Sequence, residues 1–246
     1  MAVIVAGFVL RGNRTDRRAG FDRPARGGRL GTPLIPDSRW LYYVDAGCSR
    51  DDGGERAREA AMTGRVVSHE QVVRGACRFF LEHGGVDMDR LAASLAVSRA
   101  TLYRVAHSRD GLLGEVLWRF TERLLAVARR RRRHAGDEGV LEVTRWFVGQ
   151  LHAAMPFRAF LRSEPETAAR VLFTTSGVVH RRVVSVQREI LREAHRDRPW
   201  SPTALDQAAY LYVRIIESAV YAELLGAPAP DPELVERAAL AVLRPG

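Results

Sequence analysis

The chain has 246 residues, 46% hydrophobic and 27% charged, which suits a folded globular protein and excludes disordered, collagen-like and fibrous classes over most of its length. Its 38 basic residues, all arginine, exceed the 29 acidic ones by nine, so a polyanionic partner is permitted but not required. No stretch approaches the roughly 20 apolar residues of a membrane helix, and Cys48 and Cys77, outside any C-x-x-C pair, give no basis for a disulfide scaffold or a structural zinc site.

The absence of lysine reads as codon bias in a GC-rich genome, not as a design for guanidinium chemistry. The basic excess sits mid-chain: residues 62–134 hold 14 arginines against 7 carboxylates, while 135–246 hold 13 against 14. Five of the 14 form the run Arg129 to Arg133.

Residues 1–61 read as a poorly structured extension. Met1 to Leu10 is apolar, but without a preceding basic region or a clean cleavage site it is not a secretory signal. Gly12 to Pro36 is dense in Gly, Arg and Pro, Trp40 to Val44 reads as a short strand, and Glu55 to Ala61 as a short helix. Met62 opens the periodic part and is the expected true start of translation, the alternative being a disordered basic arm.

From Ser68 the helix signals are regular. Ser68-x-x-Gln71 is a capping box, and Val72, Val73, Ala76, Cys77, Phe79 and Phe80 fill one face of a helix that ends at Gly84-Gly85. Asp87 caps a short second helix with Leu91, Ala92 and Leu95 inward. Ser98 caps a third, with Leu102 and Val105 inward, and Ser108 a fourth from Arg109 to about Arg132, with Leu112, Leu113, Val116 and Phe120 as its core stripe. Further helices are expected at about Val140–Met155, Phe157–Arg162, Pro165–Phe173 and Val178–His195. Ser201-Pro202 opens one reaching about Leu225, and Asp231-Pro232 the last, to about Leu243. No Gly-rich phosphate loop or internal repeat appears, and the fold class is all α.

Two short helices joined by a tight turn, the second capped by Ser98, make a helix-turn-helix. From Ser94 to Arg109 there are three arginines and no carboxylate, a local bias that suits a phosphate-lined groove. With Leu102 and Val105 inward, Ser98, Arg99, Ala100, Thr101, Tyr103 and Arg104 face outward or lie at the helix start. Arg99 can reach a guanine edge bidentately and Thr101 a base or a thymine methyl. Tyr103 and Arg104 suit phosphate contacts, and Arg109, at the free N–H groups of the fourth helix, adds a phosphate clamp.

The stretch from Gln71 to Val116 resembles the TetR family of bacterial transcriptional regulators. The resemblance rests on the helix with Phe79-Phe80 and Gly84-Gly85, on L-A-A-S-L-A-V-S-R-A-T-L-Y-R, and on S-R-D-G-L-L. It implies a DNA-binding domain over 62–108 and a helical regulatory and dimerisation domain over 109–246. Ala96 stands where the family usually has Gly, so strain is expected there. Val105-Ala106 replaces a usual His-Phe, and Arg109 a common Lys. The phrase F-R-A-F-L-R-S-E-P-E-T-A-A-R-V-L, from Phe157, looks like the QsdR subgroup, which implies a small-molecule and possibly lactone-like effector.

Trp118, Trp146, Phe147, His152 and Phe173 are the candidate effector contacts, with Thr174 and Thr175 among the few polar groups nearby, although aromatics at helical spacing are more often core. The helix from Pro202 is apolar nearly all round and needs partners on several sides. With the last helix it suggests a four-helix dimer interface through Tyr212, Ile215, Ile216, Ala219, Leu234 and Ala238. The arginine run reads as a solvated helix C-terminus, because roughly 35 Å of helix separates it from the DNA-facing end, against a Debye length of about 8 Å. No cofactor and no metal are expected, since the seven histidines lack ligand spacing. The expectation is a cytoplasmic homodimeric repressor, released from double-stranded operator DNA by a small-molecule effector. The rivals are an α-helical enzyme and an effector-independent DNA-binding protein.

Overall fold

The computed structural model describes residues 67–244 except 175–177, 198, 199, 223, 225 and 229. The expectations for residues 1–61 and for Thr175 lie outside the described residues. Among the described residues there are ten helices: α1 His69–His83, α2 Met88–Ser94, α3 Arg99–Ala106, α4 Arg109–Arg131, α5 Gly136–Ala153, α6 Met155–Ser163, α7 Pro165–Phe173, α8 Val178–Ala194, α9 Pro202–Val220 and α10 Pro232–Leu243. No strand occurs among the described residues.

The polar starts of these helices do what their residue types dictate. Ser68 and Gln71 cap α1 reciprocally, Ser68 accepting from the Gln71 N–H while the Gln71 amide accepts from the Ser68 N–H. Asp87 accepts the N–H groups of Asp89 and Arg90, and the Arg90 bond, foremost, holds its carboxyl below the usual carboxylate range. Ser98, Ser108, Ser201 and Asp231 cap the starts of α3, α4, α9 and α10 in the same manner.

Contacts divide the chain into two compact units, and α4 and α8 contribute to both. One unit comprises the described residues up to Ala126 together with Ala154–Ser185. There α1, α2 and α3 pack on one another, and α1 also packs on α6. Phe80, fully buried, sits with its ring centroid 5.8 Å from Phe120 and 5.7 Å from Phe160, so one side chain joins α1, α4 and α6. Gly84 ends α1 at φ +68°, and a Cβ there would lie 3.0 Å from that of Ala159. The left-handed cap and the approach of α6 both favour glycine.

The other unit comprises Val127–Ala153 and Val186–Gly246. Its largest contact is α9 on α10, with α5 packing on α10. Tyr212, 1% exposed, donates to Thr144 Oγ1 at 2.8 Å, and Thr144 in turn donates to the Val140 carbonyl. Arg145 makes a bidentate pair with Glu236, both bonds 2.9 Å, and a third bond to Glu138. Asp137 accepts from His195 and from Arg244, fastening the C-terminal end of α10 to the start of α5.

Several expectations are corrected. Ala106, not Val105, joins Leu102 in the core, because the buried pair sits at i and i+4, and Val105 is half-buried. Helix α5 starts at Gly136, four residues before its first buried aliphatic side chain, because Glu142 folds back onto the Arg133 and His134 N–H groups around a polar first turn. Helix α9 stops at Val220, although the apolar run continues through Ala222 and Leu224. In the arginine run Arg129 is half-buried and pairs with Glu189 and Glu193 of α8, while Arg130, Arg131 and Arg133 are exposed, the Arg131 guanidinium lying 5.6 Å from the Trp146 ring centroid.

Ala96 adopts φ +52° between α2 and α3, the left-handed backbone expected from its place in the turn. Ala96→Gly should therefore stabilise the chain by about 0.5–1 kcal/mol, the relief of strain exceeding the added unfolded-state entropy. Denaturant unfolding checks this, and an unchanged or lower midpoint would mean the turn is unstrained.

Candidate nucleic-acid interface

Helix α3 presents its first turn to solvent. Ser98, Arg99, Ala100, Tyr103 and Arg104 are exposed and Thr101 is half-buried, while Leu102 and Ala106 anchor the opposite face. Ser98 Oγ accepts the Thr101 N–H at 3.1 Å and lies 2.9 Å from Thr101 Oγ1, so both hydroxyls are held at the helix start. Six of the seven residues expected to contact DNA are thus brought together on one short exposed surface.

Arg99 has two neighbours that the sequence did not reveal. Its guanidinium lies 3.0 Å from a carboxylate oxygen of Asp89 on α2 and 5.5 Å from the Tyr103 ring centroid. Both members of the ion pair are nearly two-thirds exposed, at 64% and 63%. Such a pair is worth about 0–1 kcal/mol, whereas a bidentate arginine–guanine contact discriminates by about 1–3 kcal/mol. The base edge wins this exchange, so Asp89 orients Arg99 without withholding it.

Arg109 is placed differently from its expected role. Its Nε donates to the Val86 carbonyl and its Nη2 to Glu164, both at 2.6 Å, and the side chain is 31% exposed. The bond to Glu164 is foremost in raising the affinity of this guanidinium for its proton. The group is engaged inside the unit, at the joint between α6 and α7, instead of standing open to a phosphate. Beside it, Arg170 of α7 donates to Asp110 at 2.6 Å. His107, at φ +61°, turns the chain from α3 into α4, a feature with no signal in the residue type.

The candidate effector contacts fall in different units. Trp118 is buried beneath the Arg182 guanidinium, 5.5 Å from its ring centroid, and Phe173 is half-buried at the end of α7. In the other unit, Trp146 is half-buried and Phe147 packs with Val148, Val235 and Ile216. His152 lines an apolar cleft with Val148, Ile216, Ala219 and Val235, of about 20 Å³, room for little more than a water molecule.

Among the proposed dimer residues, Tyr212 is a core residue of its own unit, since its hydroxyl is already bonded to Thr144. Ile215, Ile216 and Ala219 pack within the unit around Val148 and Val235, and Ala238 is half-buried. Leu234 is 53% exposed, and Tyr210 and Leu211, outside the expected interface set, are each 49% exposed.

Comparison with known proteins accords with this geometry. Residues 135–244 match the family model described as the tetracyclin repressor-like C-terminal domain. The structure of QsdR, a TetR-family transcriptional repressor of R. erythropolis, superposes with a TM-score of 0.65 at 27% identity, covering 72% of this chain and 96% of that one. Residues 135–244 thus form a tetracyclin repressor-like C-terminal domain, and the chain is similar to TetR-family regulators. An HTH-type transcriptional regulator of Mycobacterium tuberculosis, in strains CDC 1551 and H37Rv, is 24% identical over 181 residues, 70% of this chain and 74% of the relative. The protein is a DNA-binding transcriptional regulator, and no described helix is long and apolar enough to cross a membrane.

Arg99→Ala should relax sequence preference and cost about 1–3 kcal/mol of specific binding. Asp89→Asn should do the opposite to overall affinity, tightening all DNA a few-fold and steepening the salt slope, because it removes a carboxylate beside the phosphates. Isotherms at several salt concentrations separate the two effects, and an unchanged ranking of operator variants in Arg99→Ala would refute the base-reading role.

Proposed function

We propose that the protein is a homodimeric repressor whose α3 helices read successive major grooves of a palindromic operator, and that a neutral, lactone-like small molecule releases it. The observation that carries this reading is the exposed, carboxylate-free first turn of α3, held on a three-helix head clamped to α6 and α7. The domain reading goes with it: residues 62–108 form the DNA-binding part and 109–246 the regulatory and dimerisation part. Binding to DNA places the protein in the cytoplasm. Repression by the similar QsdR supports the sign of regulation.

The partner copy would be met by α9 and α10, where Leu211 and Leu234 expose apolar surface that a monomer gains nothing by presenting. A regulator is favoured over an α-helical enzyme because the proteins this chain is similar to are transcriptional regulators.

Selection from random DNA should enrich a palindrome with half-sites about 34–36 Å apart. Failure to enrich any sequence would sink the reading. Once operator and effector are in hand, linkage fixes a second outcome. A coupling of about 1–3 kcal/mol gives about 5–150-fold weaker operator binding with effector, and operator must weaken the effector by the same factor. Calorimetry with and without operator checks this, and equal affinities would remove the proposed coupling.

A further inference from the structure

Arg99 is held from two sides before any DNA is met. Its Nη1 lies 3.0 Å from Asp89 Oδ1 and donates to Asp89 Oδ2 at 3.1 Å, so one nitrogen serves both carboxylate oxygens. The Tyr103 ring, one turn further along α3, faces the same guanidinium at 5.5 Å. The edge formed by Nε and Nη2 has no partner among the described residues. Arg90, next to Asp89 in the chain, is turned onto the Phe79 ring of α1 and does not compete for this carboxylate.

A guanine offers O6 and N7 to two parallel N–H groups, and the free edge of Arg99 carries such a pair of donors. Where base and carboxylate compete for Arg99 the base edge wins, but along Nε and Nη2 they need not compete. A phosphate is a different case. The first helix of a helix-turn-helix crosses the backbone while the second enters the groove, so docking of α3 brings Asp89 on α2 near phosphates. An arginine swung onto a phosphate leaves that carboxylate unpaired beside a polyanion, in a space that docking has partly emptied of water. In the free protein the exposed pair is weak, and the cost of breaking it rises in the complex. Specificity is a difference of affinities, so a penalty on every partner but guanine sharpens the choice as a better guanine contact does.

We infer that Asp89 is a specificity-determining residue of the DNA-binding surface: it fixes the Arg99 guanidinium for guanine and denies it a backbone phosphate. The inference rests on the major-groove reading above. It goes further by naming one base, one edge of Arg99, and a carboxylate that weakens binding to all DNA while sharpening the choice among bases. Asp89 acts through Arg99 and is therefore a positioning residue. Neither side chain is needed to hold the fold, since both are nearly two-thirds exposed and Asp87, not Asp89, caps α2.

The test is selection of duplexes from a randomised library by the full chain, with base preferences read position by position. It compares wild type with Asp89→Asn, Asp89→Glu, Arg99→Ala and the Asp89→Asn, Arg99→Ala double variant. Wild type should prefer guanine at one position of each half-site, and Arg99→Ala should lose that preference there alone. Asp89→Asn should weaken it at the same position by at least about threefold, part of the 5–150-fold that a bidentate contact discriminates, while binding the bulk library more tightly. Asp89→Glu keeps the charge and should retain most of the preference. With Arg99 already alanine, Asp89→Asn should change no base preference. The inference is overturned if Asp89→Asn leaves the guanine preference intact, or if Asp89→Glu loses as much as Asp89→Asn. It is also overturned if the loss spreads over every position, which marks a displaced α2, if Arg99→Ala alters no position, or if the double variant shifts a preference that Arg99→Ala alone does not. In each of these cases wild type still enriches a palindrome and the proposed function stands. No enrichment by wild type refutes the proposed function, and this inference falls with it.

Discussion

The placement of the recognition helix depends on the clamp made by Arg109. One guanidinium, at the first residue of α4, donates to the Val86 carbonyl just before α2 and to Glu164 between α6 and α7. The pair is half-buried, at 31% and 26% exposure, so it is screened less than a surface pair, and losing either partner strands a partly desolvated charge. The packing around it agrees: Gly84 lets α6 approach, Phe80 meets Phe160, and Arg170 of α7 reaches Asp110 of α4. The three-helix head and the α6–α7 hairpin are thereby one body, and α3 is presented to DNA from it.

That arrangement separates two jobs that the charge count merges. The outward arginines of α3 stay exposed, and the one ion pair made by Arg99 is weak enough to be exchanged for a base edge. Elsewhere arginine is used inside the protein: Arg129 ties α4 to α8, Arg145 ties α5 to α10, and Arg119 ties α4 to Glu70 of α1. A large share of the basic residues outside α3 is therefore structural, which is why overall basicity is a poor guide to the DNA-binding surface and the short carboxylate-free stretch a better one.

Legibility in the sequence followed the range of the interaction. The caps by Ser68, Asp87, Ser98, Ser108, Ser201 and Asp231, and the strained Ala96, were readable because each is settled within a few residues. The partner of Arg109 lies 55 residues away and that of Tyr212 lies 68 away, and neither spacing leaves a periodic trace. So Arg109 read as a phosphate contact and Tyr212 as an interface residue.

The most direct measurement is a double-mutant cycle on DNA affinity with Arg109→Ala, Glu164→Ala and the pair, read at several salt concentrations. If Arg109 is the clamp, each single change weakens operator binding by a similar factor, the pair weakens it little further, and the salt slope is nearly unchanged. If Arg109 instead holds a phosphate, its removal lowers the salt slope by about one while Glu164→Ala leaves binding intact or tighter, and the account is contradicted.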